Sequence, residues 1–481
     1  MRHMRKLLIA TLTIVAACVS PGDPGPASMD EAAFERELER RFQYGPPEPA
    51  AQRTEDARAG RIADAAYFAA YPEYERAYTP QARAEAQRLA ARLVEDAGEL
   101  TPDQFTLRVA EIVALADNAH SQVGTAFQKN TRRVPLRTTW FPEGLFVLRA
   151  IPAHADLLGA RIDTIDGVAA GTVFQRIHHY NGGIETWRRQ ALTPMLESPG
   201  LLHAAGIART SDALTYAGTL LNGEPFERRV EGEERGQTAP ISSTARLIFP
   251  TGADAPMQSL LSENDSLPVY LRSRSTLFSL ESLPERGLYI GLGFNSDADE
   301  ETMASFLDRT RTRITAEARA YAVVDLRTNT GGDFTTTYRF ATELPSLVEH
   351  VYVLTSGWTL SAAMHAAAAI KQSAPDRVTL VGAPVGDRMS FWSEGGAFVL
   401  PNAPMIVSYT AGRHNFAGPC NDLDACFWLS ALPDRYPVRI PSLDPEIPAP
   451  LTFAAYSARR DPGMEAVLAQ EASRRSFAHT R

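Results

Sequence analysis

The sequence predicts an α/β protein with a parallel sheet in residues 287–481, preceded by a helical N-terminal region and a β-rich middle region. Three observations carry this. From Gly287 on, short apolar runs alternate with longer amphipathic ones: strand 288–294, helix 299–320, strand 321–326, helix 333–345, strand 350–355, helix 360–372 and strand 378–382. That alternation is the signature of parallel strands joined by covering helices. Residues 28–118 are rich in Ala, Glu and Arg, and their apolar residues recur at helical spacing. Residues 136–240 turn instead to short strand-like runs.

In chain order, Arg2, Arg5 and Lys6 precede an apolar stretch, Leu7 to Ala17. A charged start followed by a short apolar core is the pattern of a secretory signal, and eleven residues fall short of the roughly 20 that span a bilayer. Val15-Ala16-Ala17 directly before Cys18 resembles a bacterial lipobox. Residues 1–18 are thus expected to be a lipoprotein-type signal, with Cys18 acylated and the protein tethered to a membrane of the cell envelope, facing the periplasm. A plain secretory signal with an unmodified Cys18 is the alternative. Residues 19–27, with Pro21-Gly22-Asp23-Pro24-Gly25-Pro26, read as a flexible tether.

Residues 28–130 form the helical region. Thr79-Pro80 and Thr101-Pro102 each offer a Thr N-cap with Pro at the first helical position. In the second helix Phe105, Val109, Ile112, Val113 and Ala116 share one face. Residues 136–240 contain a strand, Leu145 to Ala150, and then Ile162-Asp163-Thr164-Ile165-Asp166-Gly167. This resembles part of a PDZ module, which would bind an extended peptide by strand addition, although any Asp-Gly hairpin gives a similar pattern. Residues 241–286 read as an irregular linker.

Composition narrows the chemistry. The 481 residues are 44% apolar and 22% charged, as in ordinary globular protein, with a net charge of −9 that argues against a general nucleic-acid binder. Lys occurs only at Lys6, Lys129 and Lys371. Besides Cys18 there are only Cys420 and Cys426; in an exported protein they are candidates for a small disulfide loop, or else two free thiols. No H-E-x-x-H pair or phosphate-binding glycine loop occurs, so neither metal nor cofactor is expected.

Three segments carry candidate chemistry. Asp325-Leu326-Arg327-Thr328-Asn329-Thr330-Gly331-Gly332 runs from a strand into a glycine turn that can point backbone N–H groups at an oxygen. Ser361 opens an Ala-rich helix, where free N–H groups and the dipole favour negative charge. Thr359 and Ala363 flank it, so it lacks the glycines of an α/β-hydrolase nucleophile elbow. His120 closes the helix that ends in Leu115-Ala116-Asp117-Asn118-Ala119.

Together these segments resemble the tail-specific, or C-terminal-processing, serine peptidase family, on its tricorn-core and retinoid-binding-protein side. Asp325-Leu326-Arg327-x-Asn329-x-Gly331-Gly332 is similar to that family's D-L-R-x-N-x-G-G. Thr359-Leu360-Ser361-Ala362-Ala363 is similar to T-x-S-A-A, and Leu115-x-Asp117-x-x-His120 to L-x-D-x-H with one extra residue. Pro445-Glu446-Ile447, Tyr456 and Arg460-Asp461-Pro462-Gly463-Met464-Glu465 resemble its closing motif. The resemblance implies a crotonase-like (ClpP/crotonase) α/β catalytic domain over 287–481 and a degenerate PDZ-like domain. It implies an exported endopeptidase acting on peptide or protein substrates through an acyl-enzyme. Ser361 would be the nucleophile, His120 the base, and the N–H of Ala362 with that of Gly331 or Gly332 the oxyanion hole.

One branch of the family uses Ser and Lys. Here Lys371 lies ten residues beyond Ser361, about 15 Å along one helix, and Gly386, Asp387 and Arg388 stand where the Lys is expected. Arg cannot act as a neutral base, and Lys129 has no motif behind it. The missing Lys shifts weight to His120 or to inactivity. Asp387 and Glu394 are weaker candidates; Glu394 would orient a base or bind a substrate N-terminus. His365, one turn after Ser361, would line the same cleft. Two rivals keep the fold: a ligand- or lipid-binding protein without turnover, and an ester or thioester hydrolase.

Overall fold

The structure, a computed structural model, describes residues 52–129, 131–233, 244–252, 255–263, 266–272, 277–422, 424–427 and 436–479. The expected signal, Cys18 and the tether lie outside these residues. Among the described residues no helix is long and apolar enough to cross a membrane.

The N-terminal helices form where their caps place them. Helix α1 (Ala57–Phe68) opens on Asp56, α2 (Tyr71–Tyr74) follows, and α3 (Pro80–Asp96) and α4 (Pro102–Ala114) open on Thr79 and Thr101, whose hydroxyls accept amide hydrogen bonds. At α4, Gln104 answers back to the Thr101 amide and completes a capping box. The face written by Phe105, Val109, Ile112, Val113 and Ala116 is buried.

A first, antiparallel sheet is built from β1 (Leu136–Phe141), β2 (Gly144–Ala150), β3 (Arg161–Ile165), β5 (Ala213–Thr219) and β6 (Pro225–Glu231) in that order, with β4 (Val168–Ala169) on β3 and β7 (Gln258–Ser259) on β2. The β3–β4 reversal is made by Asp166 and Gly167, with φ of 50° and 82°; positive φ at both residues is what a tight hairpin turn of matching twist requires.

A second sheet has the order β15-β12-β11-β10-β9-β8: β8 (Phe278–Leu283), β9 (Gly287–Leu292), β10 (Tyr321–Asp325), β11 (His350–Thr355), β12 (Val378–Gly382) and β15 (Ile447–Pro448). From β9 to β15 all pairings are parallel, with Val324 opposite Val353 and Ile290. Strands β9, β10 and β11 are buried at every residue, which accounts for their unbroken apolar runs. Helices α5 (Met303–Ala316), α6 (Thr335–Leu347) and α7 (Ala362–Ser373) follow β9, β10 and β11. Strand β8, within the segment expected to be irregular, pairs antiparallel with β9. Its alternating Phe-Ser-Leu-Glu-Ser-Leu is the half-buried pattern of an edge strand.

The third sheet is a long hairpin, β13 (Ser390–Leu400) with β14 (Met405–Asn415), absent from the sequence reading. It spans two cores. Phe398, Leu400, Met405, Val407 and Tyr409 pack with α1 to α4. Phe391, and Phe416 just beyond β14, pack with the helices and strands of the parallel sheet. Asp64 of α1 accepts the amides of Asn402 and Ala403 at the hairpin tip.

The Asp325-Leu326-Arg327 motif is structural. Arg327, 11% exposed, donates to Asp325 and in two-pronged fashion to Asp461 (2.7 and 2.9 Å), and its guanidinium lies 4.7 Å over the Tyr270 ring. This ties the end of β10 to the start of α8 (Pro462–His479). Arg327 is the one cation shared by two buried carboxylates, so removing it strands both. Arg327→Ala should therefore cost about 3 kcal/mol of unfolding free energy in a urea titration, and a loss below about 1 kcal/mol would contradict this role.

Candidate active site

Ser361 is set by two loops at the carboxyl ends of β10 and β11. Ser356 Oγ donates to the Arg327 carbonyl (2.6 Å), Thr359 Oγ1 to that of Leu326 (2.9 Å), and the Leu360 amide to that of Asn329 (3.1 Å). Pinned in this way, the chain enters α7 with Ser361 at φ 55° and ψ −122°, a costly backbone for a residue with a Cβ. Such a strained strand-to-helix turn is reached without the flanking glycines that the sequence lacks. The room comes from the other loop: a Cβ on Gly331 would lie 2.8 Å from Ser361 Cβ. The Ser361 hydroxyl caps no amide of its helix.

The glycine turn is equally fixed. Gly331 and Gly332 have φ of 121° and 118°. The Gly331 amide donates to Asn329 Oδ1 (2.9 Å), and Asn329 Nδ2 to Asn295 Oδ1 (2.7 Å). Asn295 closes the frame, donating its amide to the Gly331 carbonyl and accepting that of Asp333 (both 2.7 Å). The Gly331 amide is thus engaged inside the turn, whereas Gly332 is exposed.

His120 lies in a loop that leaves α4 through Asp117, whose φ is 46°. Its ring stacks on Phe391 (5.3 Å, 12°), and Nδ1 lies 3.7 Å from Asp387 Oδ2. Both ring nitrogens are buried without a hydrogen-bond partner, as is Asp387 Oδ2. No hydrogen bond therefore joins His120 to Ser361. What connects them is the loop after β12: the Gly386 amide donates to the Thr359 carbonyl (2.9 Å), which sets Asp387 beside the Ser361 turn. Ala119, Leu360, Ala363, Val385 and Phe391 share one apolar cluster, so residues flanking both Ser361 and His120 pack together. Arg388, in the Gly386-Asp387-Arg388 segment where a Lys is expected, donates to the Asp117 carbonyl and to Asp117 Oδ2 (both 2.7 Å), clamping the His120 loop.

Burial dominates the titration of this pair. It pushes the His120 imidazole down to about 4, with a nearby imidazole, His414, adding to the effect and Glu394 opposing it. It pushes Asp387 up to about 7, against the Arg388 amide and guanidinium. Both shifts disfavour charge, as a dry site must.

His414 is a residue that sequence reasoning missed. It too stacks on Phe391 (5.1 Å, 4°), so that one ring packs against two imidazoles, and its Nε2 lies 3.2 Å from Glu394 Oε1. A histidine inside a strand offers no spacing signal; only the hairpin brings it here. Glu394 has φ 43°. Burial opposes its charge, but the contacts with His414 and Ser393 hold its pKa below the usual range.

The other basic candidates lie elsewhere. His365 is buried among Phe334, Tyr338 and Phe416, and burial takes it down to about 3. Lys371 donates to the Pro375 and Val378 carbonyls and pairs with Glu446. Lys129 is exposed. Cys420 and Cys426 are joined, with Cα atoms 5.7 Å apart. Among the described residues no cluster of three or more His, Cys, Asp or Glu side chains could hold a metal.

No protein-family model matches the chain, and no curated protein matches it in sequence. Solved structures do match its fold. Mature CPAF complexed with lactacystin aligns over 86% of this chain and 97% of its own, at a TM-score of 0.50 and 11% identity. A CPAF mutant, S499A, aligns over 84% and 95%, at 0.51 and 10%. The photosystem II D1 C-terminal processing protease aligns over 83% and 94% at 11% identity, with a TM-score of 0.36 that is too low to carry weight. At these identities the likeness establishes a shared fold, here a mixed α/β architecture of several sheets.

A direct check on the site is the His120 ring itself. Its folded pKa lies below the unfolded value of 6.5, so His120 should stay neutral at pH 5.5 and titrate near pH 4 by imidazole NMR. A midpoint near 6.5 would show that the ring is solvated and the packing against Phe391 wrong.

Proposed function

We propose that the protein is a serine peptidase acting on peptide or protein substrates through an acyl-enzyme. Ser361 is the nucleophile, His120 the general base, and the Gly332 and Ala362 amides the oxyanion donors. The observation that carries this is the Ser361 turn: a strained backbone at a helix start with a hydroxyl uncommitted to capping, packed on a glycine loop whose next residue, Gly332, is exposed. Charge developing on a substrate carbonyl oxygen there would meet preorganised N–H groups, an arrangement worth roughly 10²–10³ in kcat per donor. A solved neighbour of the fold is a CPAF mutant in which serine 499 is replaced by alanine.

In this mechanism a neutral His120 takes the Ser361 proton as Oγ attacks the carbonyl carbon, then returns it to the leaving amine. Water repeats the cycle on the ester. Asp387, 3.7 Å from Nδ1, stabilises the imidazolium when ionised. His414, paired with Glu394, stacks on the same Phe391 ring as His120 and supports it. The same proposal includes a crotonase-like core over 287–481, a PDZ-like sheet over 136–240 that presents an extended substrate, a linker over 241–286, export through residues 1–18 and a lipid anchor at Cys18.

The second reading, a ligand-holding protein without turnover, is favoured by the missing hydrogen bond between His120 and Ser361. An ester or thioester hydrolase would use the same oxyanion hole. Fluorophosphonate labelling separates catalysis from holding: wild type should label stoichiometrically at Ser361 and Ser361→Ala should not, whereas equal labelling removes the covalent mechanism. Peptide and acyl-ester substrates compared side by side identify the acyl donor. The pH dependence follows from Asp387. Its folded pKa is raised to about 7, so the supporting carboxylate forms as pH rises through that value. kcat/KM should climb across pH 6–8, and Asp387→Asn should flatten the limb and lower the plateau about 100-fold; an unchanged limb would exclude Asp387.

A further inference from the structure

Glu75 is fully buried, directly after α2, far in sequence from every residue of the site. Its carboxyl accepts the Thr410 hydroxyl (2.5 Å) and the Ala77 amide (2.9 Å) on Oε1 and the Thr410 amide (3.1 Å) on Oε2; the Tyr71 hydroxyl, 3.1 Å from Oε2, has its shorter bond to the Ser408 carbonyl (2.7 Å). Isolating a carboxylate from water costs several kcal/mol unless its lone pairs are satisfied; burial raises its pKa, and these bonds oppose that rise.

The bonds do not stop at Thr410. Thr410 Oγ1 lies 3.4 Å from Ser121 Oγ, on the residue after His120. Asn118 Nδ2 donates to Ser121 Oγ (3.0 Å) and to Thr410 Oγ1 (3.5 Å). Thr410 gives its single hydroxyl proton to Glu75, and Ser121, which accepts from Asn118, gives its own to Thr410 or to Glu75 itself. The protons therefore all point one way, from Asn118 through Ser121 and Thr410 into Glu75. The Asn118 side-chain oxygen, Oδ1, accepts the Trp392 amide (3.3 Å), next to the Phe391 ring on which His120 stacks. The Ser408 amide, donating to the Gln122 carbonyl (2.9 Å), holds the other end of the segment.

We propose that Glu75 is a positioning residue for the reaction. As the acceptor that orients this chain of donors, it fixes the His120 segment on hairpin β13–β14 in the register that presents the imidazole to the Ser361 turn. The inference rests on the Ser361–His120 reading above. Gln at this position keeps the size but replaces one acceptor oxygen with an amide NH₂ that faces the Thr410 and Ala77 donors, so it breaks the direction of the chain. Misplacing a catalytic group by about 1 Å costs about 10²-fold.

The test uses the full chain with Glu75→Gln and, should that variant not fold, Thr410→Val, which keeps the shape and removes the linking hydroxyl. Expected are a 10- to 100-fold lower kcat and fluorophosphonate labelling rate at unchanged KM, together with displaced His120 ring signals in NMR, since the ring leaves its seat on Phe391. Unchanged His120 signals overturn the proposal, whatever the activity. So does wild-type kcat in both variants, or a loss of kcat that only follows a lower melting temperature. Wild-type protein that fails to label at Ser361 overturns instead the reading beneath it, and the ring signals still report on Glu75.

Discussion

The site depends on one element, the β13–β14 hairpin, and on its being too long for either core alone. Its tip half is packed by Phe398, Leu400, Met405, Val407 and Tyr409 against the N-terminal helices, and its base by Phe391 against the parallel sheet. Each buried aromatic contributes about 2 kcal/mol or more of apolar transfer, so the two cores are locked together through one rigid ribbon. That lock carries His120, which leaves the last N-terminal helix, to the loops at the carboxyl ends of β11 and β12. Open α/β sheets place ligands outside these strand ends.

A dry environment gives the histidine its character. An imidazole pressed against Phe391 and a carboxyl 3.7 Å from it, neither with a hydrogen-bond partner on the facing atoms, resist charge separately. Substrate-driven proton transfer from Ser361 would create an imidazolium whose nearest carboxyl is Asp387. The pair is then stable as a couple where each charge alone is not. Arg388 takes no part as a base. It instead fastens the backbone of Asp117 and thereby the loop that supplies the histidine.

Local signals were legible in the sequence where chemistry dictates them at short range. Thr79 and Thr101 cap the helices they were expected to open, and Asp166-Gly167 makes its turn. The parallel strands stood out as apolar runs because both their faces are covered. Strand β8 hid in a stretch of loop-like composition, since polar residues stand between its apolar ones and leave no unbroken apolar run. The hairpin hid because its glycines, Gly395, Gly396 and Gly412, and its polar residues read as loop; a Cβ at Gly395 would lie 2.3 Å from the Tyr409 carbonyl oxygen, so the strands need that glycine to approach. With the hairpin unseen, His414 and the Glu75 network had no partner to be read against. The strain at Ser361 was illegible for a related reason, because the glycine that permits it belongs to a different loop.

The most direct measurement is a crystal structure of the protein with a phosphonate attached to Ser361 Oγ. The account predicts a His120 ring nitrogen roughly 3 Å from that oxygen, and the phosphonyl oxygen within hydrogen-bond reach of the Gly332 and Ala362 amides. An adduct whose oxygen turns away from both amides, with His120 still sealed against Phe391 and out of reach, would contradict it.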